Sequence, residues 1–244
     1  MQALLTSLAA AYGACAGLLI ARPAHRLAVP AGNPWAGACP AGHPLTGPAA
    51  GWLGTARCRG CADWFGPSTL RLALITAVAC AALAVATGPR PELAVWLILA
   101  PAGVLLATVD HAVHRLPDVL TLPLAAAAVV LLGAAANLDA AGGSWLGSVL
   151  GGLALGGVYF LLFLINPSGM GFGDVKLATV LGVTLGWYGG GVLIVGFMTG
   201  VFYAGGYALA LVLLGRAGRK TAMPLGPCML AGAFTGLLLG GLGA

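Results

Sequence analysis

The chain has 244 residues, of which 60% are hydrophobic and 7% charged, with 11 basic and 6 acidic side chains and a net charge of +5. Soluble domains carry roughly 25% charged residues, so a water-exposed globular surface is excluded; disorder needs high charge and few apolar residues, and the 40 glycines lack the period of collagen. The apolar runs are long and unbroken rather than short and alternating, which leaves an all-α polytopic membrane protein rather than a barrel.

A membrane-crossing helix needs about 20 mostly apolar residues. About eight are expected here, over 3–21, 72–88, 93–109, 119–137, 145–165, 174–188, 190–214 and 223–242. The first lacks the basic leader of a signal peptide, since its first positive charge is Arg22 at the far end, and reads as a retained anchor. A polar loop over 22–71 separates it from the seven helices over 72–244. The tract from 174 to 214 is divided at Gly189-Gly190-Gly191, because one unbroken helix would run about 60 Å, twice the bilayer core. Gly147-x-x-x-Gly151 has the spacing of close helix packing, but composition alone supplies many such pairs, and it receives no functional weight.

The bases assign the sides. Loops after the odd-numbered helices hold Arg22, Arg26, Arg57, Arg59, Arg71, Arg115, Lys176, Arg216, Arg219 and Lys220, and only Arg90 falls opposite. The positive-inside rule makes those loops cytoplasmic and puts both termini outside. The bases are scattered, with no aromatic-laced basic stripe, so no nucleic-acid partner is expected.

Of the six acids, Asp63, Glu92 and Asp139 fall in loops and are expected to be solvated. Asp110, Asp118 and Asp174 lie at one membrane boundary, where an acid calls for a reason. The bland reading is a helix-end charge, which for Asp174 has the support of the helix dipole. The functional reading rests on Gly171-Phe172-Gly173-Asp174-Val175-Lys176, where glycines allow another backbone to approach an acid. Two aspartates that met across a helix pair would form an aspartic-protease dyad holding one proton.

These residues resemble the bacterial prepilin peptidases, or type IV leader peptidases. Gly171-Phe172-Gly173-Asp174 is similar to their G-x-G-D signature. The stretch from Asp110 through Leu116-Pro117-Asp118-Val119-Leu120-Thr121-Leu122-Pro123 resembles their first-aspartate segment. Met223-Pro224-Leu225-Gly226-Pro227 resembles a late I-P-F-G-P stretch, and Cys39-Pro40, Gly42-His43-Pro44-Leu45 and Cys58-Arg59-Gly60-Cys61 resemble a cysteine-bearing cytoplasmic loop. The resemblance implies an aspartic endopeptidase of the cytoplasmic (inner) membrane, with residues 72–244 as its catalytic membrane domain. Its partners would be the lipid bilayer and the prepilins or pseudopilins of type IV pilus or type II secretion systems. Those substrates would be cut after a Gly on the cytoplasmic side of their hydrophobic stretch. Carried over, the catalytic pair is Asp110 and Asp174, with Asp118 secondary. Lys176 would hold a substrate acid or anchor its helix at the interface, the latter favoured. Proteolysis would need no cofactor. S-adenosylmethionine is implied only where N-methylation of the product is retained. The loop tied to that activity departs from the family's C-P-x-C-G-H-P by losing its second Cys.

Cys15, Cys80 and Cys228 fall in expected helices and read as small hydrophobes. Cys39, His43, Cys58 and Cys61 form a candidate Cys₃His zinc set, built on one C-x-x-C chelate, with free thiols as the alternative. His25 has no evident partner, and His111 and His114 read as loop residues. No H-E-x-x-H occurs. A transporter or channel using the same acids is the main competing reading. It predicts ionisable groups near the midplane and internal repeats, whereas these acids share one boundary and no repeat is visible. A presenilin-type protease lacks its Y-D and P-A-L partners here, and a scaffold leaves the acids unexplained.

Overall fold

The long apolar runs each fold as an α-helix in the computed structural model, which describes residues 1–30, 32–167, 169–215 and 224–244. In chain order the helices are α1 (Gln2–Leu19), α2 (Ala21–Leu27), the single turn α3 (Pro48–Gly51), α4 (Thr69–Thr87) and α5 (Glu92–Val113). They continue with α6 (Asp118–Ala135), α7 (Trp145–Ile165), α8 (Phe172–Gly186), α9 (Gly190–Leu213) and α10 (Gly226–Gly243). All eight expected long helices are present. The expected bases Arg216, Arg219 and Lys220, and Met223 of the late motif, lie outside the described residues.

Among the described residues, seven helices, α1, α4, α5, α6, α7, α9 and α10, are long and apolar enough to cross a membrane. The eighth, α8, has 15 residues, about 22 Å at 1.5 Å per residue, which is short of a roughly 30 Å hydrocarbon core. It lies inside the bundle, packed against α6, α7, α9 and α10, and nearly every residue from Asp174 to Gly186 is buried. Lipid-facing surface comes instead from its neighbours, through residues such as Val130, Leu153 and Phe202. The break between α8 and α9 falls where expected: Gly189 has φ +100, a conformation glycine adopts without the clash of a Cβ.

Small residues set the helix separations. Gly147 and Gly151 of α7 lie directly on Gly186 and Gly182 of α8; a Cβ at Gly151 would sit 2.8 Å from the Gly186 Cα, and one at Gly182 2.9 Å from the Gly152 Cα. The Gly147-x-x-x-Gly151 spacing, which sequence left without weight, is therefore the seam that holds α8 in place. Similar seams join α1 to α4 through Gly13 and Gly17, and α9 to α10 through Gly196 and Gly232. Because the obstruction at Gly182 is backbone, relaxation requires the helices to part. Gly182→Val is expected to lower stability by about 1–3 kcal/mol, the range for overpacking, and to reduce activity with it. Thermal unfolding in detergent checks this, and an unchanged melting temperature would refute the seam.

At the end of the bundle far from Asp110, Glu92 is fully buried. Expectation had placed it in water. Its carboxylate accepts the Gly142 N–H at 3.2 and 3.3 Å and the Tyr188 hydroxyl at 3.4 Å. Tyr188 in turn accepts from Trp96 Nε1 at 3.1 Å, and Arg90 donates to the Gly241 carbonyl at 2.8 Å. Hydrogen bonding offsets the cost of burying the acid, and the network ties four helix ends together. Asp63 and Asp139 are exposed, as expected.

Candidate active site

Asp110 lies in the last turn of α5 and is 4% exposed. Its Oδ2 accepts the Gly226 N–H at 2.9 Å, so the acid caps the start of α10, where an anion meets unpaired N–H groups and the positive end of the helix dipole. A Cβ at Gly226 would lie 2.7 Å from Asp110 Oδ2. The glycine in Leu225-Gly226-Pro227 is thus a site residue, a role that sequence reading did not assign. α5 ends at His114, which is left-handed (φ +51) and donates its N–H to the Asp110 carbonyl at 2.8 Å. His111 and His114 are exposed.

Asp174 lies in the first turn of α8 and is 9% exposed. Its N–H donates to the Gly171 carbonyl at 3.0 Å, with Gly171 as the extended N-cap residue. Gly173 lies against the chain that leaves α5: a Cβ there would be 3.0 Å from the Leu116 Cβ. The absence of a side chain at 173 lets the start of α8 lie against the α5–α6 turn. Both carboxyls are therefore buried at the same end of the bundle, where the start of α8 meets the chain that leaves α5.

Asp118 does not join them. It opens α6, with its side chain 63% exposed, and pairs with Lys176 Nζ at 2.7 Å. That ammonium also lies 5.0 Å from the centre of the Phe172 ring. Lys176 thus has partners within the protein, and Phe172 packs edge-on against Phe163.

The loop between α2 and α4 brings its cysteines together. Ala38 pairs with Pro44 and Arg57 with Trp64 in two short antiparallel bridges. One turn carries Cys39 and His43, the other Cys58 and Cys61. The ligand atoms of all four lie within 4.8 Å of one another, with Cys39 Sγ 3.6 Å from His43 Nδ1 and 3.9 Å from Cys61 Sγ. Tetrahedral zinc with bonds near 2.3 Å separates its sulfurs by roughly 3.8 Å, so the donor set fits. The Gly60 N–H points at Cys58 Sγ at 3.3 Å. Backbone donors at Cys61 and Gly60 hold the Cys58 thiol down to about 7, which favours the thiolate that zinc binds. His25, given no partner by the sequence, lies 3.2 Å from the Ala38 carbonyl and edge-on to Phe65. The buried Arg22 donates to the carbonyls of Thr46, Thr55 and Arg57. The same loop packs on the active-site helix, since Ala24 and Leu27 of α2 share a cluster with Leu105 and Val109, the residue before Asp110.

Residues 97–240, which include Asp110, Asp118 and Asp174, match the model of the type IV leader peptidase family. The chain belongs to that family. A prepilin leader peptidase/N-methyltransferase of Aeromonas hydrophila is 32% identical to it, over 83% of this chain and 71% of its own length. A relative of the same name from Stutzerimonas stutzeri is 34% identical over 54% of this chain and 44% of its own. One from Bacillus subtilis is 35% identical over 44% and 42%. No solved structure matches. This leader peptidase is a multi-pass membrane protein with seven candidate spans, and its activity is that of a peptidase.

Proposed function

We propose that this leader peptidase cleaves type IV prepilins or pseudopilins after a Gly, at the cytoplasmic face of the inner membrane, with Asp110 and Asp174 as its catalytic dyad. Both termini would then lie outside, because α8, though short, runs antiparallel to α7 from the Asp174 end to the opposite end and serves as the eighth crossing. The observation that carries the reading is the burial of two acids at one end of the bundle, from the last turn of α5 and the first turn of α8, where Gly173 lies against Leu116. Two carboxyls acting together in one buried site cannot both ionise cheaply, so a working pair holds one proton. The ionised carboxyl takes a proton from water as the water oxygen attacks the carbonyl carbon of the glycine. The protonated carboxyl hydrogen-bonds the carbonyl oxygen and gives it its proton. The C–N bond then breaks as the first carboxyl returns its proton to the departing amine and the second takes a proton back from one hydroxyl of the diol, which leaves the glycine as a carboxylic acid, restores the shared proton and frees the amine as the N-terminus of the mature pilin. The Gly226 N–H holds Asp110 in orientation, and the Lys176–Asp118 pair fixes the first turn of α8 to the start of α6. A transporter would place its acids near mid-membrane, whereas Asp110 lies in the last turn of its helix and Asp174 in the first.

Zinc fits Cys39, His43, Cys58 and Cys61, where it would supply structure by closing the loop, because four protein ligands leave no open position for chemistry. N-methylation, which the relatives' names carry, belongs to this chain only if S-adenosylmethionine is used. One experiment tests both activities. The purified protein in vesicles is incubated with a prepilin, with and without S-adenosylmethionine, and the N-terminus of the product is sequenced. A new N-terminus immediately after the glycine is expected, and an intact prepilin would refute the peptidase reading. A mass gain of one methyl group, seen only with the methyl donor, would assign the second activity.

A further inference from the structure

A cavity of about 530 Å³ lies between α4, α5, α8 and α10. Its lining is almost wholly apolar, from Leu74 and Val78 at one side to Phe234 and Leu237 at the other. Three features define what it can take. First, it opens sideways to the bilayer: Leu74, Ile75 and Val78 at its α4 lip are 58%, 55% and 67% exposed, and Ala231 on the α10 lip is exposed too. α4 and α10 meet at the end far from Asp110, where a Cβ at Gly241 would touch the Ala86 backbone at 3.1 Å. The opening therefore lies toward the Asp110 end. Second, its floor on α5 has a row of small residues, Ala100, Gly103 and Ala107, beside Trp96, Leu99 and Val104. A Cβ at Gly103 would meet only a Leu230 methyl, at 3.4 Å. Unlike the glycines of the α7–α8 seam, this one has no helix backbone against it, although the spacing is the kind that admits one. Third, the cavity leads to the acids. Ala107 is one turn before Asp110, and Pro227 follows the Gly226 whose N–H binds Asp110.

We propose that this groove receives the apolar helix of the substrate, which enters laterally from the bilayer and is held so that the polar chain at its end reaches Asp110 and Asp174. The inference rests on the prepilin reading above and adds where the hydrophobic part of that substrate lies. From Trp96 to Ala107 the groove follows α5 for about 16 Å, enough for roughly eleven residues of helix. Leu124, Leu177 and Leu181 close its inner wall. A lipid acyl chain is the competing occupant, but a chain of lipid gives no reason for a groove whose lining, through Ala107 and Leu177, comes within one helical turn of both buried carboxyls.

The test uses full-length protein in vesicles with a prepilin. A benzophenone side chain replaces Val78 or Ala231 at the mouth, or Val130 on the lipid-facing side of α6 as control, each in an Asp174→Asn background that retains substrate. Crosslinking to the prepilin at Val78 and Ala231 is expected to exceed that at Val130 at least tenfold. In the otherwise wild-type enzyme, Gly103→Leu is expected to raise KM for the prepilin about tenfold with kcat little changed, whereas Val130→Leu, on the lipid-facing side of α6 and outside the groove, changes neither appreciably. If Gly103→Leu fails to fold, the crosslinks decide alone. Prepilin crosslinks no stronger at the mouth than at Val130, with wild-type enzyme cleaving normally, would overturn the groove and leave the peptidase reading intact. Absence of cleavage by the wild-type enzyme would overturn both.

Discussion

Asp110→Asn and Asp174→Asn are each expected to lower prepilin cleavage by about 10³-fold or more, while the protein still inserts and unfolds at a near-normal temperature. An amide is nearly isosteric with the carboxyl it replaces but can neither accept the proton of attacking water nor surrender one to the carbonyl. Proton transfer of this kind is worth roughly 10²–10⁴-fold at a single group, and in a dyad each member supplies half of one cycle. At position 110 an amide oxygen can still accept the Gly226 N–H that caps α10, so the fold around it survives. Asp118→Asn is the contrast. Its carboxylate is exposed and paired with Lys176, and exposed ion pairs are worth about 0.2–1 kcal/mol. Cleavage by that variant is expected to stay within about fivefold of wild type, since 1.4 kcal/mol is a factor of ten. The measurement is cleavage rate on one prepilin with all three variants. Substantial cleavage by either dyad variant, or a loss at Asp118 equal to theirs, would refute the assignment.

What sequence revealed and what it hid follow from how far apart the cooperating residues lie. Helix positions were legible because each is encoded locally, in about twenty consecutive apolar residues. The division of the long tract was legible because Gly189 needs a positive φ. The two buried aspartates were singled out by glycines within three residues of one and by a motif following the other. The partners of those acids were not legible. Gly226 reaches Asp110 from 116 residues away, and nothing in Leu225-Gly226-Pro227 says that its glycine leaves room for a carboxylate. Glu92 looks like a turn residue beside Arg90 and Pro91, and only the fold brings Gly142 and Tyr188, from 50 and 96 residues away, to satisfy it inside the protein. Gly147-x-x-x-Gly151 was indistinguishable from the chance pairs of a glycine-rich chain until Gly182 and Gly186 were seen across from it. That protein surrounds α8 was not legible, because an apolar run does not declare whether lipid or protein lies against it.

Replacing Cys58 by Ser is expected to take bound zinc from about one equivalent to none, and to open the loop between α2 and α4 to proteolysis. The reasoning starts from how little else holds that loop. Its regular structure amounts to the turn α3 and two isolated bridges. Its core is a small cluster in which Cys39 and Cys58 are themselves members, beside Leu45, Ala56 and Phe65. Segments with so little apolar burial depend on a metal to close them, and structural zinc contributes about 10–16 kcal/mol of apparent binding energy at neutral pH. Serine keeps the volume but loses the thiolate that the Gly60 and Cys61 N–H groups stabilise, so three ligands remain, too few for a closed site. The consequence extends to catalysis, because α2 carries the loop against Leu105 and Val109 on the helix that ends in Asp110. Peptidase activity should therefore fall in Cys58→Ser, but by less than in the aspartate variants, and chelation of the wild-type enzyme should reproduce the effect and zinc reverse it. His43→Cys provides the complementary arm: thiolate replaces imidazole beside Cys39 Sγ, and zinc is retained. Metal analysis of the purified proteins, with limited proteolysis across residues 28–68, measures each outcome. A wild-type protein free of zinc, or a Cys58→Ser protein that keeps a full equivalent, would show that the four side chains cluster for some reason other than holding a metal.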